Sequence, residues 1–114
     1  GEEKYLEDLW RRTPLTLAFK NEQVDVCMLL LTKIENKNPI IDDSTGNNNG
    51  NTALHEAAKK GYLEICELIL KNIEDKNPQN TIGKTPLTLA SENNHDNVCA
   101  LIRLHLEKKE NIQK

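Results

Sequence analysis

Residues 51–70 read Asn-Thr-Ala-Leu-His-Glu-Ala-Ala-Lys-Lys-Gly-Tyr-Leu-Glu-Ile-Cys-Glu-Leu-Ile-Leu, and the chain on either side repeats this pattern with different side chains. The first half predicts a short helix. Thr52 caps it by accepting from an unpaired first-turn amide, and Leu54, Ala57 and Ala58 share the packed side. Gly61 ends that helix. A second begins at Leu63, with Leu63, Ile65, Cys66, Leu68, Ile69 and Leu70 as a wide apolar stripe and Glu64 and Glu67 toward water. Helices this short are marginal alone and need tertiary packing, so a stacked neighbour is required.

The sequence supplies two. Thr13-Pro14-Leu15-Thr16-Leu17-Ala18 precedes the central stretch and Thr85-Pro86-Leu87-Thr88-Leu89-Ala90 follows it. The register holds downstream: Val26-Cys27, Ile65-Cys66 and Val98-Cys99 lie thirteen and fourteen residues after their threonines, and Leu29-Leu30, Leu68-Ile69 and Leu101-Ile102 come soon after. The threonines stand 39 and then 33 residues apart. The six extra residues fall after Pro39, within 40–51, because Glu35-Asn36-Lys37-Asn38-Pro39 and Glu74-Asp75-Lys76-Asn77-Pro78 are themselves 39 apart.

A 33-residue period with two helices per unit and a Thr-Pro-Leu-His-x-Ala-like helix start resembles the ankyrin repeat. The likeness spans about residues 8–106. It rests on Thr52-Ala53-Leu54-His55-x-Ala57-Ala58-x-x-Gly61, on Leu63-Glu64-Ile65, on Asn38 and Asn77 before the loops, and on Gly50 and Gly83 before the next threonine. The fold expected is all-α: a solenoid of three stacked helix-turn-helix repeats with hairpin-like loops. The 114 residues then form one domain, with an N-terminal segment 1–12, repeat 1 at 13–39, an extended loop 40–51, repeat 2 at 52–78, a loop 79–84, repeat 3 at 85–106 and a charged tail 107–114.

Some positions depart from the family pattern. Thr16 and Thr88 replace its histidine, so a His-mediated link between repeats is expected at His55 alone. Ile34 and Ile73 replace the glycine that ends the second helix, so that helix is expected to run on to the residue before Pro39 or Pro78, which disfavours α geometry. Glu22 and Asn94 replace the glycine between helices, where Asn accepts the left-handed conformation more readily than Glu does. Tyr5, Leu6, Leu9 and Trp10 have helical spacing and are read as an N-terminal cover or the remnant of an earlier unit. Repeat 3 carries Asp96, Asn97 and Arg103 where repeat 2 has Leu63, Glu64 and Leu70, the polar outer face that a terminal repeat requires. The insertion, rich in turn formers, is read as a permissive surface finger.

Composition is ordinary, at 37% apolar with a net charge of −3, which indicates neither disorder nor a strongly basic nucleic-acid binder. No apolar run is long enough to span a bilayer. No cleavable signal is read at the start, and Gly1 in place of an initiator Met leaves room for an excised fragment of a longer chain. Cys27, Cys66 and Cys99 share one repeat position in helices roughly 8–10 Å apart, too far for a disulfide or a shared zinc ion. They are read as small buried residues, and free thiols point to a reducing compartment, the cytoplasm first, with the nucleus or delivery into another cell open.

No catalytic signal survives inspection. His55-Glu56-Ala57-Ala58-Lys59 has lysine where a zinc-protease helix needs its second histidine. Asp42-Asp43-Ser44-Thr45-Gly46 lacks calcium-loop ligand spacing, and Gly46-Asn47-Asn48-Asn49-Gly50-Asn51-Thr52 lacks the P-loop lysine. His55 with Cys66 has no third group to form a nucleophilic system. His95 and His105 are read as a loop residue and a solvent-facing residue. Neither enzyme activity nor a cofactor or metal is expected.

The resemblance implies a module that binds another protein through a concave face made of loop tips and the exposed sides of the first helices. Position by position these are Trp10, Arg12, Lys20 and Asn21 in repeat 1; Asn48, Asn49, Asn51, Glu56, Lys59 and Lys60 in repeat 2; and Ile82, Lys84, Glu92 and Asn93 in repeat 3. Basic residues outnumber acidic ones there although the chain is acidic, so the partner expected has an acidic surface, with the protein itself monomeric and binding neither nucleic acid nor membrane. The alternative is a targeting or substrate-recruiting segment of a larger enzyme or effector.

Overall fold

Units 2 and 3 each start where a threonine hydroxyl closes the first helical turn. Thr52 Oγ1 accepts from the His55 amide at 3.3 Å and Thr85 Oγ1 from the Thr88 amide at 3.1 Å, satisfying donors that a helix start leaves open. The computed structural model describes residues 14–41 and 50–113, the last six by backbone alone. Helical backbone covers 14–20 (α1), followed by α2 (Val24–Lys33), α3 (Ala53–Lys60), α4 (Leu63–Leu70), α5 (Pro86–Glu92) and α6 (Asp96–Gln113). The result is an all-α stack of three helix pairs. Within a unit α3 packs on α4 and α5 on α6, and between units α2 meets α4, α3 meets α5 and α4 meets α6.

One continuous core runs through the stack. Leu15, Phe19 and Leu31 meet Leu54, Ile65, Cys66, Ile69 and Leu70, which meet Ala90, Val98 and Ile102. Each leucine or isoleucine buried this way contributes about 1.5–3 kcal/mol relative to exposure. The Phe19 and Tyr62 rings stack across the first junction, with centroids 6.3 Å apart. Of the stripe read in α4, Ile65, Cys66, Ile69 and Leu70 are buried, but Leu63 is 38% exposed. It shares a face with Glu67, one turn on, and so looks outward.

The bend between the helices of a unit needs a left-handed residue. Gly61 (φ 78°), Glu22 (φ 57°) and Asn94 (φ 64°) all adopt it, so the glycine substitutions in units 1 and 3 leave the turn unchanged. At Gly61 a side chain is excluded twice, since a Cβ would also lie 2.6 Å from His95 Nδ1 of the next unit.

The second helices do not run on toward Pro39 and Pro78. α2 stops at Lys33 and Ile34 is extended (φ −105°, ψ 150°), while α4 stops at Leu70. A lysine six residues after the last buried leucine does what the missing glycine would do. Lys37 Nζ donates to the carbonyls of Leu31 (2.9 Å), Thr32 (3.3 Å) and Ile34 (2.7 Å). Lys76 Nζ donates to Leu70 (2.6 Å) and Ile73. A cation on the orphaned carbonyls satisfies them and favours the negative end of the helix dipole. The asparagine that follows is engaged by the next unit: Asn38 Oδ1 accepts from the Leu54 amide (2.7 Å) and Asn77 Oδ1 from the Leu87 amide (3.3 Å). Position 110 is Glu, and Asn111 replaces the proline; the α6 backbone continues to Gln113, past the boundary at 106 read from the sequence.

Both ends of the insertion are paired. Ile40 bridges Thr52 antiparallel, the Ile41 amide donates to the Asn51 carbonyl (2.8 Å) and the Ala53 amide to that of Pro39 (2.7 Å). Ile41 is 3% exposed, an apolar pin at the start of the insertion; residues 42–49 lie outside those described.

Candidate protein-binding face

The candidate residues of the first helices fall on the open side of α1, α3 and α5 because the opposite side, at Ala18, Ala57 and Ala90, is buried against the second helices. Lys20 and Lys59 occupy the same place in successive units, seven residues after the threonine, and both are exposed. Lys60 is half-buried and Asn21 exposed. Among the described residues none of the three lysines forms an ion pair. In unit 3 the equivalent residue is Glu92, and it is neutralised: Lys84 Nζ grips both its carboxylate oxygens, at 2.9 and 2.8 Å. Among the described residues the unpaired lysines of this face therefore belong to units 1 and 2, and the charge of Lys84 is offset by Glu92. Beside this pair Asn93 is exposed, its side chain turned back onto the Leu89 carbonyl (2.8 Å). Ile82 is 56% exposed at a loop tip. Trp10, Arg12, Asn48 and Asn49 lie outside the described residues.

Asn51 is not on the open face. It is buried at 4% exposure because both ends of its amide are used: Nδ2 donates to Glu56 Oε2 (2.8 Å), and Oδ1 accepts from Asn80 Nδ2 of the next loop (2.7 Å). Glu56 is thereby held at the loop base, and among the described residues it forms no ion pair with Lys59 or Lys60. Asn80 organises its own loop as well. Its Oδ1 accepts from the Ile82 and Lys84 amides (3.0 and 2.9 Å), and its backbone pairs with Lys84 and Gly83.

His55 is fully buried beneath this ladder. Its Nδ1 accepts from the Thr52 amide (3.1 Å) and lies 2.8 Å from the Thr52 hydroxyl, while Nε2 lies 3.0 Å from the Lys84 carbonyl. An amide can only donate, so Nδ1 is the acceptor and Nε2 carries the proton to Lys84. This is the inter-unit link expected at His55. Burial holds the His55 pKa below its ordinary 6.5, against the opposing pull of the Lys84 and Pro78 carbonyls and the Glu56 and Asp75 carboxylates.

These contacts also bear on chemistry. Both His55 nitrogens have structural partners, and burial pushes the Cys66 thiol up to about 12, so neither a free base nor a thiolate exists there at neutral pH. Cys27, Cys66 and Cys99 are buried and unpaired. His105 is half-buried rather than solvent-facing, because it follows Leu101 and Ile102 by one turn on the same side of α6. Among the described residues no group of three side chains suits a metal ion and no helix is long and apolar enough to cross a membrane.

The residues missed by sequence reasoning are Asn80, Lys37 and Lys76. The lysines carried a signal, since both stand 24 residues after their threonine. Compared with curated proteins, the chain finds no match. Compared with family models, it is matched twice by the one described as ankyrin repeats (3 copies), over residues 1–80 and 47–113.

Proposed function

The chain belongs to the ankyrin repeat family, whose members are in general protein-protein interaction modules and typically not catalysts, and from that premise we propose that it binds an acidic partner protein across the open side of α1 and α3 and the neighbouring loop tips. One observation carries the reading: Lys20, Lys59 and Lys60 stand without ion-pair partners among the described residues on adjacent units, on a chain of net charge −3. Charges kept free on one face of an oppositely charged molecule steer encounter and select the partner more than they add affinity. Ile82 supplies an apolar contact at the far end of the face, beside the neutral Lys84 and Glu92 pair. The protein acts as a monomer, and no chemistry is performed on the partner.

The test is capture from the native cell with wild-type and Lys59→Glu/Lys60→Glu baits, followed by association kinetics with the captured protein. The double reversal should slow association and weaken its salt dependence while leaving the fold intact, since solvent-facing changes usually stay within about 0.5 kcal/mol of wild type. Unaltered binding by that variant, together with loss of binding on Glu64→Lys or Glu67→Lys, would move the site to the second helices.

A further inference from the structure

Lysines that hold one place in successive units are set by the stack at a fixed interval. Lys20 and Lys59 both stand seven residues after their threonine, both exposed and, among the described residues, without an ion pair. Packed helices stand about 8–10 Å apart, so these two side chains leave the face from points separated by that interval. The third place in the row is Glu92, and there the cation comes from the loop: Lys84 Nζ lies 2.9 and 2.8 Å from the two carboxylate oxygens. The row therefore presents three ammonium groups, and a carboxylate of the chain itself already sits on the third. One place further along each helix the residues are Asn21, Lys60 and Asn93. Both asparagines are exposed, and Asn93 keeps its Oδ1 for a donor because Nδ2 is turned onto the Leu89 carbonyl (2.8 Å).

We propose that this row reads an acidic segment of the partner in the polyproline II conformation, with carboxylates three residues apart on Lys20 and Lys59, and that Glu92 occupies the third site from within the chain. The inference rests on the acidic-partner reading above and gives the partner a local form. Polyproline II has about three residues per turn and rises about 3.1 Å per residue, so residues three apart share one edge at a separation of about 9.3 Å, inside the interval of the stack. A β-strand returns to the same face after two residues, about 6.7 Å, or four, about 13.4 Å, and misses it on both sides. An α-helix returns after seven residues, about 10.5 Å, close to the interval. Its backbone groups, however, are bonded within the helix, whereas those of polyproline II are open. The exposed amides of Asn21 and Asn93, on either side of Lys60, suit a segment whose main chain still has donors and acceptors to offer.

Labelled synthetic peptides titrated into the full-length protein, read by fluorescence anisotropy, test this. One peptide carries two glutamates three residues apart in a proline scaffold, a second has the same composition with the glutamates adjacent, and a third is an alanine-rich helix with glutamates seven apart. The first should bind tightest and weaken about two- to fivefold on Lys20→Gln or Lys59→Gln, the range for one exposed ion pair. Lys20→Gln combined with loss of the glutamate it meets should weaken binding no further than either change alone, since both remove one contact. A third glutamate at the same spacing should leave wild-type binding unchanged and strengthen binding to Glu92→Gln, in which Lys84 is released, by a similar factor. These side chains are exposed, so circular dichroism melts should show the fold intact in each variant. Equal binding of the first two peptides, or tightest binding of the helical one, overturns the polyproline II form and leaves an acidic partner in place. A third glutamate with the same effect on wild type and Glu92→Gln overturns the role given to Glu92. Binding of none of the three peptides overturns the whole inference, and the capture experiment then judges the acidic-partner reading separately.

Discussion

Replacing His55 by threonine, the residue that units 1 and 3 carry in its place, isolates the buried link between units 2 and 3. Thr88 shows how far such a side chain reaches: its hydroxyl meets that of Thr85 at 3.0 Å. A threonine at 55 would keep that local contact, lose the 3.0 Å bond to the Lys84 carbonyl and leave the Thr52 amide without its ring-nitrogen acceptor. The lost bond is worth about 1 kcal/mol net, and the stranded amide about 1–3 kcal/mol more, so the fall in stability is roughly 2–4 kcal/mol. For a domain of this size that corresponds to a melting temperature lower by roughly 10–25 °C. A pH series gives a second signature. With its pKa lowered in the folded state, His55 binds protons more weakly there than in the unfolded chain, so stability is full above its ordinary 6.5 and is lost as pH falls through the depressed value. His55→Thr should remove that component and flatten the dependence of melting temperature between about pH 7.5 and 5.5. Circular dichroism melts of both proteins across that range measure each effect. An unchanged melting temperature near neutrality, or a pH slope equal to that of wild type, would refute the assignment.

Lys76→Met should lower stability by about 1.5 kcal/mol, the lower end for hydrogen bonds to a charged group, read as a reduced urea midpoint with unchanged slope; no reduction would show that the carbonyls find other partners. Glu22→Gly should stabilise by about 0.5 kcal/mol, because relief of about 1–2 kcal/mol of left-handed strain exceeds the added unfolded-state entropy of about 0.4–1 kcal/mol, and a lower thermal midpoint would contradict this. Thiol titration of the native protein with a disulfide reagent at mildly alkaline pH should find Cys27 and Cys66 slow, since burial pushes them up to about 11 and 12; fast stoichiometric labelling without unfolding would overturn their core placement.

The architecture was legible because its determinants are local and repeated: capping threonines in one register, a left-handed residue nine places later and alternating apolar stripes. Even the one histidine link could be assigned, since the ankyrin resemblance implies a histidine at that place and only His55 supplies it, Thr16 and Thr88 standing there in the other units. Errors gathered where a long polar side chain reaches a place that spacing does not specify. Nothing local distinguishes Asn51, drawn inward by Asn80 twenty-nine residues away, from an exposed loop asparagine. Lys37 and Lys76 resemble surface lysines until their ammonium groups are seen to fold back onto helix ends. The exposure of Lys20, Lys59 and Glu92 was legible but the pairing of charge was not, because the Lys84 and Glu92 contact depends on the loop bringing residues eight apart within 3 Å.

The loop of residues 80–84 has its donors and acceptors assigned before any partner arrives: Asn80 fastens Ile82, Gly83 and Lys84 from one side and Asn51 from the other. Ordering a free loop on association opposes binding, by about 0.5–1.5 kcal/mol for each flexible side chain immobilised. Here that configurational entropy was surrendered during folding, so on the proposed face Ile82 would be presented as a rigid knob. Variants of Asn80 should therefore weaken the proposed binding through an entropic loss, visible by calorimetry, by freeing the loop that Asn80 fastens.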